Sequence, residues 1–525
     1  MQQLKKWWQR KILASAPKSL TPSTEWLALA SAISSHEFNK ISPCLRTWCT
    51  LAERDPDRLM KAASHAGFSP AQANKLKIFF NYYSNDMANA FAQAQELLAT
   101  HGFDEDLHII SLISLYQHNQ FEDSLNYLQK LSDEQMSSIH RADYWQMVSI
   151  IRWATNQMSS LEQATDRAIE LAPDDDAVLQ TALAMYIELG AQEKIEHIRA
   201  KLNAKPHAQG YGYSLSLLAL GELERGWQLM EARYDIDDAH RYINSGLPPH
   251  QRWKGDEPLT GLRLLLTAEQ GLGDTIQMAR YLPLLKTLGA KAIMLETQPQ
   301  TISLLQYNFP DIPVVERLHG EAPKFNFDRW TGMMSLPFHL KLWGKNTPGR
   351  KGYLQVPPDN AAYWKQRVAQ LNPRKLPKIG LAWSGQPAHR ADRRRSLPFS
   401  QVMAQVRPIN ATFFALQTVV PDVMPANVIN VTEEMITLAD TAALIEQMDL
   451  IITVDTSVVH IAGALAKETW LMLPKRYEWR WGLEGEDNDL YDSVKVIRQP
   501  KAGDWASLLD DVFNKRLKRF IAEGK

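Results

Sequence analysis

The chain has 525 residues, of which 45% are hydrophobic and 22% are charged, a composition that predicts a globular protein of several domains. Its formal net charge of -1 excludes a strong overall field for nucleic acid or an anionic membrane. Two cysteines, Cys44 and Cys49, are too few for a disulfide framework or a zinc site. No apolar run approaches the roughly 20 residues that span a bilayer. We therefore expect a cytoplasmic protein without a transmembrane segment or a nucleic-acid partner.

The amino-terminal stretch 1–13, MQQLKKWWQRKIL, is basic and aromatic but lacks the apolar core of a signal peptide. Two interpretations stay open for it. Its basic side chains, with Trp7 and Trp8, either make a peripheral contact with a membrane surface or a partner, or belong to a solvated first helix whose tryptophans pack on the next helix.

The first part of the chain, to about residue 240, is predicted to be almost wholly helical, because glycine is scarce and apolar residues recur at helical spacing, as in 106–131. The stretch 164–198 divides into three helices, with breaks at Asp174–Asp176 and after Gly190. This pattern resembles degenerate tetratricopeptide repeats, and a generic α-solenoid is the competing interpretation. Either kind of stack usually binds a partner or supports the next domain.

From about residue 258, apolar and β-branched runs alternate with helical segments, which predicts parallel sheets with helices on both faces. The runs that we expect to form strands are 263–269, 292–297, 328–337, 377–385, 412–417, 428–432, 450–456, 468–474 and 494–500. A segment rich in Pro and Gly, 348–358, divides this part into two α/β units. Two such units form a cleft where the carboxyl ends of their strands meet.

The stretch AEQGLGDTIQMARYL, 268–282, follows the first of these strands. Gly271 and Gly273 permit a tight turn, and the helix that begins there offers its amino end to an anion. Asp274 is either a catalytic carboxylate or only a residue that caps the helix. The spacing is not the dinucleotide-binding fingerprint, which needs a third glycine and a distant acid.

The stretch TVDTSVVHIAGAL, 453–465, begins as a buried strand and continues as a helix of small residues. Asp455, Thr456 and Ser457 lie at the junction, where hydroxyls and free amides can hold a diphosphate. His460 lies on the first turns of that helix, and it is either a phosphate or sugar contact or a structural histidine.

The stretch GLAWSGQPAHRADRRRSLP, 380–398, begins as a strand and ends as a loop that we expect to overhang the same cleft. Its four arginines are Arg390, Arg393, Arg394 and Arg395. Such a cluster can neutralise phosphates without a metal ion, whereas an exposed arginine run is usually only solvated. No motif of paired carboxylates for metal binding stands out at a strand end.

Together, these motifs resemble the heptosyltransferase superfamily, glycosyltransferase family nine, and more closely bacterial tetratricopeptide-repeat proteins with a glycosyltransferase-like carboxyl-terminal half. The resemblance covers roughly residues 213–500. It implies an α plus α/β fold, in which a tetratricopeptide-like helical domain precedes two Rossmann-like domains in the GT-B arrangement. The expected domains are a helical repeat domain, 1–210, a helical connector that supports the GT-B part, 211–257, an acceptor-side domain, 258–352, and a nucleotide-sugar domain, 353–525.

The resemblance also implies roles for single residues. Asp274 corresponds to the proposed general base of the family, and Arg395 lies where a lysine usually contacts the donor diphosphate. The family's diphosphate loop matches Asp455-Thr456-Ser457 and His460, with Ser457 in place of a glycine. The full set of expected donor or phosphate contacts is Gly271, Gly273, Ser384, Gly385, Arg393, Arg395, Gln417, Asp455, Thr456, Ser457 and His460.

The expected function is transfer of a sugar from a nucleoside-diphosphate sugar to a protein, such as flagellin or a surface protein, which the helical domain presents. We expect no cofactor and no metal ion. The alternatives are a lipopolysaccharide or other glycan as acceptor, and an inactive scaffold that retains a nucleotide-sugar pocket. A phosphate-handling enzyme such as a kinase or an epimerase is disfavoured, because the chain lacks the P-loop motif and the full dinucleotide fingerprint.

Overall fold

The computed structural model describes residues 56–84, 86–205, 210–235, 247–318, 325–387, 389, 391–421, 423–476 and 478–524, together with Leu29, Cys44 and Leu45. Its internal contacts divide the chain into two compact units, Met1–Ala208 and Gln209–Lys525. The basic stretch 1–13, Cys49 and Arg390 lie outside the described residues. The predictions made for them, including the membrane contact, are therefore not tested.

The described part of the first unit is helical, as predicted. Its helices are α1 (Pro56–His65), α2 (Pro70–Tyr83), α3 (Met87–His101), α4 (Glu105–Gln117), α5 (Phe121–Leu128), α6 (Ser138–Ala154), α7 (Met158–Leu171), α8 (Asp176–Leu189) and α9 (Gln192–Asn203). Neighbours in the chain pack against each other, for example α2 on α3, α3 on α4 and α6 on α7. This arrangement is compatible with a repeat stack, and the tetratricopeptide assignment remains a resemblance.

The helix breaks predicted in 164–198 are confirmed. The carboxylate of Asp175 caps α8 by accepting hydrogen bonds from the amides of Ala177 and Val178, at 2.9 and 3.1 Å. The same helix ends at Gly190, whose φ of 72° is a left-handed conformation that favours glycine. Local capping chemistry therefore sets both ends of this helix.

The second unit begins with two helices, α10 (Tyr211–Ala219) and α11 (Leu223–Met230), which pack on the core of the first sheet. The chain that follows α11 is attached by a buried ion pair. Arg233 donates to both carboxylate oxygens of Glu269, from Nε at 2.8 Å and from Nη2 at 3.0 Å. Glu269 has a fully buried side chain and lies two residues before Gly271. The connector therefore holds the end of the first strand.

The first sheet is parallel and has the strand order β3-β2-β1-β4. Its elements are β1 (Arg263–Thr267), α12 (Leu272–Ala279), α13 (Leu282–Thr287), β2 (Ala292–Thr297), α14 (Pro299–Asn308), β3 (Val314–Glu316), β4 (Arg329–Gly332) and α15 (Leu336–Leu340). The three-residue strand β3 was not predicted. The run predicted as a strand over 328–337 becomes helical after Gly332, where Pro337 lies in the first turn of α15.

The second sheet is also parallel, with the order β10-β9-β8-β5-β6-β7. Its elements are α16 (Pro358–Leu371), β5 (Lys378–Ala382), α17 (Asp392–Arg395), α18 (Phe399–Val406), β6 (Thr412–Ala415), β7 (Val428–Ile429), α19 (Leu438–Gln447), β8 (Leu450–Val454), α20 (Ser457–Ala464), β9 (Thr469–Leu473), β10 (Val494–Arg498), α21 (Trp505–Leu509) and α22 (Leu517–Ala522). A π-helical segment, Asp510–Arg516, joins the last two helices. The second unit is thus an α/β structure with two parallel sheets.

Each sheet reverses its strand order once. In the first sheet the chain builds outward from β1 to β3 and then adds β4 on the other side of β1. In the second it builds from β5 to β7 and then adds β8 on the other side of β5. Ligands of open α/β sheets bind outside the carboxyl ends of the strands at such switch points. The motifs at 268–282, 380–398 and 453–465 follow β1, β5 and β8 and therefore lie at these two points.

Candidate functional site

Two helices from different sheets pack against each other at the switch points: α12, which follows β1, and α20, which follows β8. Their approach is closest at Gly273. A Cβ atom at this position would lie 2.7 Å from Cδ2 of His460 and 3.4 Å from Cα of Ser457. Glycine is thus needed at Gly273 for a close approach of two helices, in addition to any role in the turn. The structure brings together the first and second motifs.

Asp274 lies in the first turn of α12, and both of its carboxylate oxygens have partners. Oδ2 accepts a hydrogen bond of 2.8 Å from the amide of Gly271, the residue that caps the helix. Oδ1 forms an ion pair with the guanidinium of Arg480. Asp274 therefore caps its own helix and also contacts the second sheet's side of the site. Its role as general base is compatible with this position and remains a prediction.

Arg480 was not singled out in the sequence. It lies in a short 3₁₀ turn, Trp479–Trp481, and only 11% of its side chain is exposed. Its Nη1 lies 2.5 Å from a carboxylate oxygen of Glu478, and its Nε donates to the side chain of Gln277 on α12 at 3.0 Å. Although burial opposes the charge, the carboxylates of Glu478 and Asp274 raise the pKa of Arg480 above its ordinary value.

At the amino end of α20, the hydroxyl of Thr456 accepts a hydrogen bond of 3.3 Å from the amide of Val458. His460 is buried, its Nδ1 lies 3.1 Å from the hydroxyl of Tyr491, and its ring stacks on Trp481. Burial, together with the nearby arginines, holds the pKa of the imidazole well below its usual range. A neutral histidine thus lies beside this helix end.

Asp455 supports the site from the end of β8. Its carboxylate accepts a hydrogen bond of 3.1 Å from Nε1 of Trp481, and its main-chain oxygen accepts one of 2.7 Å from Nη1 of Arg395. Burial raises the pKa of this carboxyl, and the charges of Arg395 and Arg480 oppose the change. The contacts of Asp455 hold Trp481 and Arg395 in place.

The loop after β5 brings one of its arginines into the site. Arg395 is held by Asp455 and by Asp392, whose Oδ1 lies 3.2 Å from its Nε. Arg393 is exposed and Arg394 is buried. A Cβ atom at Gly385 would lie 2.6 Å from Nη2 of Arg395, so glycine allows the guanidinium to approach the loop.

Gln417, at the end of β6, braces the same loop. Its Oε1 accepts hydrogen bonds from the amides of Trp383 and Ser384, at 2.9 and 3.1 Å, and its Nε2 donates to the hydroxyl of Ser384 at 2.9 Å. The amide group is occupied by these bonds, so the observed role of Gln417 is to shape the wall formed by Ser384 and Gly385. Direct donor contacts of these residues remain predictions.

Several residues at the site went unnoticed in the sequence: His389, Glu478, Arg480, Trp481 and Tyr491. His389 lies within the arginine-rich stretch 380–398. Partial burial, together with Arg395, lowers the pKa of its imidazole to about 4. The other four belong to a late irregular segment without a glycine-rich or hydroxyl pattern, and the only signal there is the sequence WRW at 479–481.

Across the described ranges, no group of three or more His, Cys, Asp or Glu side chains is placed to hold a metal ion. No helix in the same part of the chain is long and apolar enough to cross a membrane.

Comparison with known proteins gives limited similarity. No protein-family model matches the chain. Among curated proteins, Protein FlbA of Caulobacter vibrioides is 26% identical over 378 residues, which cover 65% of this chain and 61% of that protein. The matched region thus spans less than two thirds of the relative's length.

Solved structures with similarity to the chain include three glycosyltransferases. The family 9 glycosyl transferase from Veillonella parvula is 11% identical, with a TM-score of 0.34, and the match covers 46% of this chain and 88% of that one. For the ADP-heptose heptosyltransferase II of E. coli the identity is 14%, the TM-score 0.36 and the coverage 50% and 99%. The O-GlcNAc transferase of Thermobaculum terrenum is 11% identical, with a TM-score of 0.26, and the match covers 84% of this chain and 93% of that one. Similarity of this size assigns no donor or acceptor to the chain.

Proposed function

We propose that this protein is a glycosyltransferase that moves a sugar from a nucleoside-diphosphate sugar to a hydroxyl group of a protein, without a metal ion. The observation that carries the proposal is the packing of α12 on α20 at the two switch points, which sets Gly273, the residue before Asp274, against Ser457 at the amino end of α20, where Arg395 contacts the main-chain oxygen of Asp455. A proton acceptor and an anion site are the two parts that this reaction needs.

In the proposed reaction, Asp274 accepts the proton of the acceptor hydroxyl. The acceptor oxygen forms a bond to the anomeric carbon of the sugar, and the bond from that carbon to the diphosphate oxygen breaks. The nucleoside diphosphate leaves with the electron pair. Arg395, the amino end of α20 and the neutral imidazole of His460 stabilise the charge that develops on the diphosphate.

The donor side of the proposed cleft is the second sheet. Thr456 and Ser457 provide hydroxyls at a helix start, and Ser384 and Gly385 form a wall that Gln417 holds in place. The sequence resemblance to family nine supports the same division, with the acceptor on the first sheet and the nucleotide sugar on the second, in a GT-B arrangement.

A protein is the proposed acceptor because the described helices of the first unit pack on their neighbours in the chain, as in repeat stacks, which usually bind other proteins. Flagellin and other surface proteins are the candidates. A lipopolysaccharide or another glycan is the competing acceptor. Incubation with radiolabelled nucleotide sugars, followed by separation of protein and glycolipid fractions of the source cells, distinguishes them by the fraction that gains label.

The substitution Asp274→Asn tests the proposed base. Asn can still accept the hydrogen bond from Gly271, so α12 should stay capped and the protein should melt within a few degrees of wild type. Asn cannot take a proton, so sugar transfer should fall by a factor of about 10² to 10⁴. The matched control is Asp328→Asn, which neutralises another arginine-paired aspartate, just before β4 at the amino end of the same sheet.

Transfer that survives in Asp274→Asn contradicts the assignment of the base. A second candidate function is favoured by the ion pair of Asp274 with Arg480, since it occupies the carboxylate: an inactive scaffold that retains the nucleotide-sugar pocket. The two are separated by a thermal-shift screen with nucleotide sugars, followed by a hydrolysis assay. An enzyme should bind and consume its donor, whereas a scaffold should only bind it.

A further inference from the structure

The contact of Arg480 with Asp274 joins the two sides of the proposed cleft. Arg480 belongs to the second sheet's half of the unit, where Glu478 holds one side of its guanidinium and the ring of Trp479 lies 4.3 Å below it. The other side reaches the first half, at Asp274 and Gln277. Because this guanidinium is nearly buried, it needs a partner on this side, in addition to Glu478, whenever it leaves Asp274.

The same contact occupies the proposed base. Oδ2 of Asp274 accepts from the amide of Gly271 in its own helix, so Oδ1 is the oxygen that we assign to the acceptor's proton, and Arg480 contacts it. The carboxylate is therefore oriented and already paired. Moving Arg480 away would open this oxygen to the acceptor hydroxyl.

The space beside Arg480 is the proposed diphosphate site. Asp455 accepts from Nη1 of Arg395 with its main-chain oxygen and from Nε1 of Trp481, the residue after Arg480, with its carboxylate, so Arg395 and the turn that carries Arg480 border the same region. Guanidinium stays charged at all physiological pH values and presents a fork of donors that fits phosphate oxygens. A diphosphate that is held by Arg395 and the start of α20 would thus lie within reach of a second cation.

We propose that Arg480 is a donor-binding residue that exchanges partners: the donor's diphosphate takes the guanidinium over from Asp274 and so frees the carboxylate to act as base. The proposal rests on the proposed function. Glu478 stays with Arg480 in both states and serves as its anchor, and Gly271 stays with Asp274. The exchange keeps every buried charge paired, and it makes the base available only when a donor is bound.

The exchange predicts that Asp274 competes with the diphosphate for Arg480, so that removing the carboxylate should strengthen diphosphate binding. The probe is inorganic pyrophosphate, which carries the diphosphate without a nucleobase, and the measurement is isothermal titration calorimetry on the full chain. Asp274→Asn should bind pyrophosphate about tenfold more tightly than wild type, and Arg480→Gln about tenfold or more weakly, as expected for close charge pairs.

The double variant, Asp274→Asn with Arg480→Gln, should bind pyrophosphate no better than Arg480→Gln alone, because the gain from removing the carboxylate exists only while the guanidinium is present. Asp328→Asn and Arg516→Gln are the matched controls. They remove a paired aspartate and a paired arginine outside the site, since Arg516 contacts Glu486 and Asp511, and they should leave pyrophosphate affinity unchanged.

Unchanged or weaker binding by Asp274→Asn overturns the exchange, and so does equal tightening in the double variant. Should Arg480→Gln fail to fold, Arg480→Lys replaces it: it keeps the charge but loses the fork, and it should still bind pyrophosphate more weakly than wild type. If the wild type binds neither pyrophosphate nor any of ADP, GDP and UDP, the proposed function itself fails. Binding by the wild type with no response to the variants rejects the exchange alone.

Discussion

The helices α12 and α20 each follow a strand that borders the switch point of its sheet, and they differ in what caps them. Each has eight residues and follows a strand at a switch point. The amide at the start of α12 is bonded by a carboxylate of the same helix, Asp274. The cap of α20 is the neutral hydroxyl of Thr456. The cap of α12 thus carries a negative charge, whereas the cap of α20 is uncharged.

This difference separates two chemical roles. A helix amino end carries a partial positive charge and attracts anions, unless a carboxylate already neutralises it. On α12 the carboxylate of Asp274 fills this place, so the end offers a base rather than an anion site. On α20 the cap is an uncharged hydroxyl, so the partial positive charge is not neutralised, and Arg395 adds a cation nearby. A negatively charged donor should therefore bind at α20, whereas an acceptor hydroxyl should meet Asp274.

A large fall in pyrophosphate affinity is expected when the amino end of α20, like that of α12, has a carboxylate cap. Thr456→Asp places a carboxylate at the cap of α20, as Asp274 does for α12. Asp caps a helix at least as well as Thr, so the melting temperature should hardly change. The added charge neutralises the positive end of the helix and repels the diphosphate, so pyrophosphate affinity measured by calorimetry should fall about tenfold. Ser69→Asp, at the cap of α2, adds the same charge elsewhere and should leave the affinity as it is. An unchanged affinity in Thr456→Asp would show that α20 is not the anion site.

A second test separates the two helices and measures stability. Gly273→Ala puts a methyl group where Cδ2 of His460 would be only 2.7 Å away, so the ring or the helix must move. Overpacking of this kind costs about 1–3 kcal/mol, which chemical denaturation can measure. The matched control is Gly271→Ser, two residues earlier, where the new Cβ would meet only Asp274 Oδ2 at 3.3 Å. Equal stability of the two variants would mean that the helices do not pack closely at Gly273.

The last test concerns how the free energy of unfolding depends on pH. Burial, with Arg480 and Arg280 nearby, holds the pKa of His460 well below its ordinary value of about 6.5. Below pH 6.5 the unfolded chain takes up a proton that the folded protein does not, so the free energy of unfolding should fall as the pH drops. His460→Gln removes this proton uptake, so it should lose less stability than wild type between pH 7 and pH 5.

His140 on α6 is the control, because the pKa of its imidazole is shifted in the opposite direction. Burial opposes its charge, but contacts with Asp106 and Glu105 raise the pKa of its imidazole. Its stabilisation is therefore full below pH 6.5 and is lost as the pH rises through the raised pKa. His140→Gln should lose more stability than wild type when the pH drops from 7 to 5. If both histidine variants change the pH dependence of stability in the same direction, the prediction that His460 is neutral is wrong.

Much of the fold was predictable because local rules decide it. Continuous apolar runs predicted nine of the ten strands in the described chain, and capping residues such as Asp175 and Gly190 predicted helix ends. The exception, β3, has only three residues, Val314–Glu316, too few to show a pattern. Pairing with β2 makes this segment a strand, and pairing is a property of the tertiary structure.

The sequence by itself determined which residues lie at the ends of β1, β5 and β8, because buried strands and the small or polar residues that follow them are local signals. Asp274, Arg395 and His460 were found in this way. Only the tertiary structure decided that Arg480 contacts Asp274, across a chain separation of 206 residues. No local pattern encodes such a contact, since it depends on how the two sheets are packed. The charges that surround Asp274, Asp455 and Arg480 are set by that packing, and so is the proposed competition between the carboxylate and the diphosphate.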